Sequence, residues 1–410
     1  MASPSSPRSS DFDLDLEKIY LDIDPAVQAQ AWQRSQALAN SGSQWRAYIN
    51  ELALRSLIAW LPSFMDTATS PASTGGNAPK SMLRDALWPT VWEWVNGSAC
   101  EVGREVGALR WVLIPSEAID DDELRVPQEW IDIPAWVGDY YLLMQVNADE
   151  GWVKIAGGAT HAVLKEQGEY DGRDRTYSLP ASELFTDVNV MGVAEAIVPN
   201  AIKRAAVAPV PELPLAQANQ LMQRLSDSEQ LNPRLAVGFD LWRALLSHGG
   251  WRMEMTQQRQ GNPPSGSVRQ WLQDGLSQWV QQLGWQTVTF QPATVGARGD
   301  DDEMPQAALS KVILIAGDRY QLQVLEQVLI TDGDQLNAWR FELRKLNGVI
   351  PLGITLRLLT EDLKAFENNS ATATEPVEVL FVDVALAPGE GIVWITEPEP
   401  DEYETEILRF

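Results

Sequence analysis

Cysteine is almost missing from this chain. Cys100 is the only one in 410 residues, so no intrachain disulfide can form and no thiolate cage for a metal can be assembled. A single cysteine of this kind reads as a small buried thiol, not a nucleophile. Histidine is nearly as scarce: His161 and His248 lie too far apart for a two-histidine metal motif at helical spacing, and both read as surface or hydrogen-bonded structural residues. No G-x-S-x-G elbow occurs, which leaves serine hydrolase chemistry without support. No stretch approaches the roughly 18 apolar residues of a membrane span. Runs of Lys and Arg are absent too. With 57 Asp and Glu against 31 Lys and Arg the formal net charge is −26, which repels phosphate backbones and anionic headgroups. Nucleic acid and membrane surfaces are therefore not expected partners, whereas another protein with a basic surface would be steered in. The opening "MASPSSPRSSDFDLDLE" lacks the apolar segment of a signal peptide, so the expected location is cytoplasmic.

What is present is the apolar and charged content of a globular fold, over a length that suits about two or three domains. We expect an α+β protein with a disordered tail over 1–20, a mixed helical and β domain over 21–207, a helical subdomain over 208–292, a linker over 293–307 and a β-sandwich of immunoglobulin-like size over 308–410. "DPAVQAQAWQRSQALANSG" predicts a helix opened by Pro25 and stopped by Gly42. In "SQWRAYINELALRSLIAWLP" the positions Trp45, Tyr48, Ile49, Leu52, Leu57, Ile58 and Leu61 predict one buried helical stripe closed by Pro62. Strand-like runs follow, among them "DYYLLMQVN" and "GWVKIAGGA" around a hairpin turn. "VPQEWIDIPAW", with Pro127 and Pro134, predicts an irregular crossing instead of a central strand. A helix is expected over about 187–198, and the Pro-rich "APVPELP" marks a boundary. "VGFDLWRALLSHGG" predicts a helix, and so does "SVRQWLQDGLSQWVQQLG", from an N-cap at Ser267 to a stop at Gly284. Beyond residue 308, six alternating runs separated by turn residues predict the sandwich.

Few residue groups could carry chemistry. "YDGRDRTY" gathers Asp171, Arg173, Asp174 and Arg175, which could clamp an anion or supply a base. The alternative is a turn at Asp171–Gly172, with Asp174 accepting local backbone hydrogens, the arginines paired to neighbouring acids, and Tyr170 and Tyr177 anchoring the ends; we favour that reading. The acidic clusters "AIDDDELR" and "RGDDDEMP" lack the spacing of a calcium loop and read as solvated loops. In the acidic tail, Ile407, Leu408 and Phe410 are expected to complete the last strand, with Tyr403 in the same contact. Tryptophan is abundant, at 17 residues. Trp45, Trp271 and Trp279 fall on helical apolar faces and read as core; Trp130 and Trp136, in the Pro-containing stretch, are the better interface candidates. No catalytic, cofactor-binding or metal-ligating residue is identified, and the oligomeric state is open.

The ordered set "VPQEWIDIPAWVGDYYL", "YDGRDRTYSL", "NPRLAVGFDLWRALL", "WRFELRKL", "LRLLTEDLKAFENN", "VEVLFVDVALAPGEGIVW" and "EILRF" resembles the cyanobacterial family of domain of unknown function 1822 (DUF1822), over nearly the whole chain from about Asp22. The resemblance implies no activity, cofactor or catalytic residue. It implies a cyanobacterial source and a signalling context. The expectation is a non-enzymatic protein-binding adaptor or regulator. Its rivals are a carboxylate and arginine enzyme built on Asp171 to Arg175, and a carbohydrate-binding sandwich that needs Trp339 or Trp394 on an outward face.

Overall fold

The computed structural model describes residues 19–68, 80–102, 108–118, 122–187, 203–262, 266–290, 306–331, 334–401 and 403–410. The expected helix over about 187–198 apart from Asp187, almost all of the tail and of the linker, and most of the two acidic clusters lie outside the described residues.

Strand β1 (Ile19–Asp22) leads into helix α1 (Pro25–Ser35), whose N-cap Asp24 accepts from the Ala26 amide at 2.7 Å. Helix α2 (Ser41–Ala68) starts earlier than expected. Asn40, not a glycine stop, organises this junction: its side-chain oxygen accepts from Ser43 N at 3.0 Å, leaving Gly42 inside the helix. The helix also continues past Pro62. A mid-helix proline costs about 3 kcal/mol, but burying each of Leu57 and Leu61 contributes about 1.5–3 kcal/mol, and both are fully buried.

The rest of this half comprises β2 (Lys80–Ser81), α3 (Pro89–Trp92), β3 (Ser98–Val102), β4 (Leu109–Ser116), β5 (Glu123–Pro127), α4 (Gln128–Asp132), β6 (Tyr140–Asn147), β7 (Trp152–Thr160), α5 (His161–Gln167), β8 (Glu169–Asp171) and β9 (Thr176–Pro180). Six strands form one sheet in the order β1-β7-β6-β4-β3-β2, antiparallel except for the β4–β6 pair. Helix α2 lies across it. A second sheet has the order β5-β9-β8. Pro127 ends an edge strand there, where its missing N–H costs no ladder bond, and the chain then turns into α4, a helix the two prolines had hidden.

The helical section holds α6 (Leu215–Leu225), α7 (Phe239–Ser247), α8 (Gly249–Arg259), α9 (Val268–Asp274) and α10 (Gln278–Gln282). Ser267 and Gln270 form the N-terminal capping box of α9, but Gly275 at φ 93° splits the expected single helix. Gly249 and Gly250, placed at the end of the expected helix "VGFDLWRALLSHGG", instead start α8. A Cβ on Gly250 would lie 2.5 Å from Ile407 Cγ1, and one on Gly249 2.7 Å from Thr405 O, so glycine here lets the C-terminal segment approach the helix backbone.

Nine strands follow: β10 (Trp285–Phe290), β11 (Gln306–Ile315), β12 (Asp318–Thr331), β13 (Asp334–Lys345), β14 (Thr355–Thr360), β15 (Ser370–Thr372), β16 (Val379–Ala385), β17 (Gly391–Glu397) and β18 (Ile407–Arg409). They form antiparallel sheets β10-β11-β12-β13-β16 and β15-β14-β17-β18. Strand β10 falls in the section expected to be helical. Phe410 joins the sheets, its ring 4.7 Å from Trp339 and 5.9 Å from Phe341, and Tyr403 meets Trp394 at 4.9 Å. The apolar end of the acidic tail thus completes the second sheet through β18. The architecture is α+β, and its buried apolar side chains form one connected cluster from Leu21 to Phe410.

Candidate functional site

The three-stranded sheet has two unlike faces because β5 alternates: Leu124 and Val126 are buried while Glu123 and Arg125 point out. Register aligns Arg125 with Ser178 and Ser178 with Glu169, so these three cross one face in a row. That face and the ends of β4 and β6 enclose a cleft of about 840 Å³, lined by Ile114, Ser116, Leu143, Arg125 and the carboxylates of Asp122, Glu123, Glu169 and Glu183. The opposite face carries Tyr170 and Tyr177, whose rings sit 4.9 Å apart, and a cluster in which Lys165 Nζ donates to Asp132 at 2.5 Å and to the Tyr177 hydroxyl at 2.8 Å.

Arg125 links the cleft to "YDGRDRTY". Its guanidinium donates to Glu123 and to Asp174, each at 3.0 Å, and lies 3.9 Å from Asp171. The hydrogen bond from Arg125 to Glu123 does most to raise the arginine's pKa. Partial burial pushes the Asp174 carboxyl up, but hydrogen bonds from Thr176 and Arg125 outweigh it and hold the pKa below the ordinary value. Asp171 accepts from Arg173 N at 2.8 Å, and the Arg173 side chain is exposed. The tight point of the turn is Arg175, at φ 55°, not Gly172. Tertiary contacts hold it: Arg175 donates to the carbonyls of Arg234, at 2.5 Å, and Val237, and its own carbonyl accepts from Arg234 and from Gln128 N. The expected pairing of both arginines with acids is therefore not seen, and the four residues do not converge on one point.

Arg234, which the sequence reading passed over, organises the neighbourhood. It donates to the fully buried Glu129 at 2.9 and 2.6 Å and to Asp174 O at 2.7 Å, while Trp242 Nε1 donates to the same carboxylate at 2.7 Å. A parallel arrangement links Arg259 to buried Glu93 at 2.7 Å, and the Glu93 carboxylate also accepts from Ala39 N at 3.1 Å. Both acids are saturated, which marks them as structural.

Other expectations are corrected by packing. Trp130 and Trp136 are buried, not on a surface: α4 turns Trp130 inward, its indole donates to Asn96 O at 2.9 Å, and Arg252 lies 5.5 Å over the Trp136 ring. Trp45, expected in the core, is 42% exposed. Trp339 and Trp394 are buried, so neither offers an outward platform for a sugar. Cys100 is buried and its thiol is pushed up to about 12 by desolvation, which leaves no thiolate for chemistry. His161 donates from Nε2 to Ile131 O at 2.9 Å and accepts at Nδ1 from Ala205 N. His248 likewise donates to Glu361 O at 2.9 Å and accepts from Trp251 N, which caps α8. Burial lowers the pKa of both, that of His248 to about 4. Among the described residues no group of His, Cys, Asp and Glu could hold a metal ion, and no helix is long and apolar enough to cross a membrane.

The chain belongs to the family described as "Protein of unknown function (DUF1822)", whose family model matches residues 21–409. No functionally curated protein and no solved structure matches it.

Proposed function

We propose that this member of a family without an assigned activity is a non-enzymatic protein-binding adaptor or regulator, and that the cleft beside β5 and β9 takes a basic segment of its partner. The observation that carries this reading is the imbalance at the cleft: among the described residues four carboxylates line it with one cation, Arg125, which already donates to Glu123 and Asp174. Surplus negative charge on partly desolvated walls raises the local concentration of a cationic segment and speeds its encounter. The overall charge of −26 acts in the same direction. A cytoplasmic setting and an immunoglobulin-like sandwich serving as scaffold for the C-terminal sheets belong to the same proposal.

The test is capture of partners by the full chain at low and high salt, followed by affinity measurement with the purified partner. Expected are a partner lost at high salt and at least a tenfold weaker affinity for the double variant Glu169→Gln, Glu183→Gln. A partner held equally by wild type and double variant at both salts, or turnover of a substrate at the cleft, would overturn the reading.

A further inference from the structure

Helix α1 crosses the start of α2 so that three aromatic rings meet. Ring centroids lie 5.4 Å apart for Trp32 and Tyr48, 5.3 Å for Trp45 and Tyr48, and 6.4 Å for the two tryptophans, with interplanar angles of 85°, 47° and 74°. Tyr48 is the buried floor, its hydroxyl held by Gln28 Nε2 at 3.1 Å, and the same amide donates to Ala148 O at 2.7 Å. Trp32 and Trp45 stay 49% and 42% exposed. Neighbouring apolar residues of α2, such as Ile49 and Leu52, are buried, so exposure of two indoles is confined to this corner.

Trp45 Nε1 donates to Glu117 Oε2 at 2.6 Å. Glu117 is exposed and has no cationic partner among the described residues. It stands between Ser116 and Ala118, both of which line the cleft. One carboxylate therefore joins the aromatic corner to the cleft mouth.

Elsewhere this chain covers tryptophan faces with its own cations: Arg252 over Trp136 at 5.5 Å, Arg259 over Trp94 at 5.4 Å and Arg269 over Trp339 at 5.8 Å. No cation of the described residues lies over Trp32 or Trp45. Ring faces with negative quadrupoles beside a carboxylate that no cation of the described residues pairs suit a planar guanidinium, which can stack on an indole while its N–H groups reach the carboxylate oxygens. An ammonium can lie over an indole, as Lys311 does over Trp285 at 5.4 Å, but it has no planar fork that stacks on the ring while donating side-on to the carboxylate.

We propose that Trp32, Trp45 and Glu117 form an anchor for an arginine side chain of the basic segment bound in the cleft. This rests on the cleft reading and adds a residue preference to it: arginine over lysine. The probe is a hexa-arginine peptide, with hexalysine as comparison, titrated into the full chain carrying ¹⁵N-labelled tryptophan indoles. Trp45→Phe assigns the Trp45 resonance.

Expected are saturable shifts of the Trp32 and Trp45 indoles while that of buried Trp242 stays fixed. Hexalysine should bind about fivefold more weakly, and Trp45→Ala or Glu117→Gln should weaken hexa-arginine binding by about five- to tenfold. Trp45→Phe, which keeps an aromatic face, should recover part of the loss. If hexa-arginine binds and the Glu169→Gln, Glu183→Gln variant loses it, but both indoles stay unmoved, the anchor is wrong and the cleft reading stands. Shifted indoles with undiminished affinity in that double variant would leave the anchor and remove the cleft. Absence of binding, or equal affinity for the two peptides with no effect of Trp45→Ala, overturns the anchor.

Discussion

Two regions use the same pair of residue types to opposite ends. At the junction of the helical section with the first half, Glu93 and Arg259 are almost wholly buried at 2.7 Å, and Glu129 with Arg234 repeats the design. At the cleft, Arg125 and the carboxylates of Glu123 and Asp174 are all more than two-fifths exposed. In these two inner pairs the acid is matched to one arginine and finished with an amide donor, at Glu93, or an indole donor, at Glu129. At the cleft, acids exceed cations among the described residues. An acid beside an arginine therefore says little about function; the surplus of one sign on an accessible wall says more.

The largest effect should come from breaking the inner pair. Arg259→Leu leaves Glu93 buried without its cation, and chemical denaturation should show a loss of about 3–5 kcal/mol. A loss under about 1 kcal/mol would mean water reaches the pair and the contrast between the regions is false. Next is the pH dependence of His248, whose neutral ring is held between Glu361 O and Trp251 N. Its folded pKa of about 4 lies below the ordinary 6.5, so the unfolded chain binds the proton first as pH falls. The stability contribution is complete above pH 6.5 and is lost progressively down to about 4. The amplitude is on the order of 3 kcal/mol, and stability curves of wild type and His248→Asn should converge in acid if the assignment holds.

A smaller effect is expected at Gly250. Gly250→Ala forces Ile407 away from α8 and should cost about 1–3 kcal/mol, with Ile407 amide exchange accelerating. Smallest is the outer pair. Asp174→Asn should change stability by no more than about 1 kcal/mol at neutral pH, because its partner is exposed. Since the folded carboxyl titrates below its ordinary 3.8, that contribution is present above 3.8 and disappears as pH falls further. A larger loss at neutral pH would place the hairpin with the inner network.

How far the sequence reached differs from place to place. The hairpin of β6 and β7, the cap at Ser267, the buried stripe from Ile49 to Leu61 and the closing strand at Ile407 were legible because each depends on neighbours a few residues away. Trp45 and Trp130 were exchanged in role because a helical face shows only that residues share a side, not which side another element covers. Likewise the arginines of "YDGRDRTY" were read against nearby acids, whereas Arg175 finds its acceptors at Arg234 and Val237, some sixty residues along the chain. The cleft acids were not brought together for the same reason: Asp122, read as part of a solvated loop, and Glu169 and Glu183 meet only when β5, β8 and β9 pair.

By itself the sequence determined the α+β class, the single cysteine, the lack of a two-histidine metal motif and the net charge of −26, because these follow from composition and short-range periodicity. Only the tertiary structure decided which tryptophans face water, which carboxylates are saturated and where negative charge is left over. Those properties depend on which distant segments cover one another, and desolvation acts on whatever the finished packing encloses.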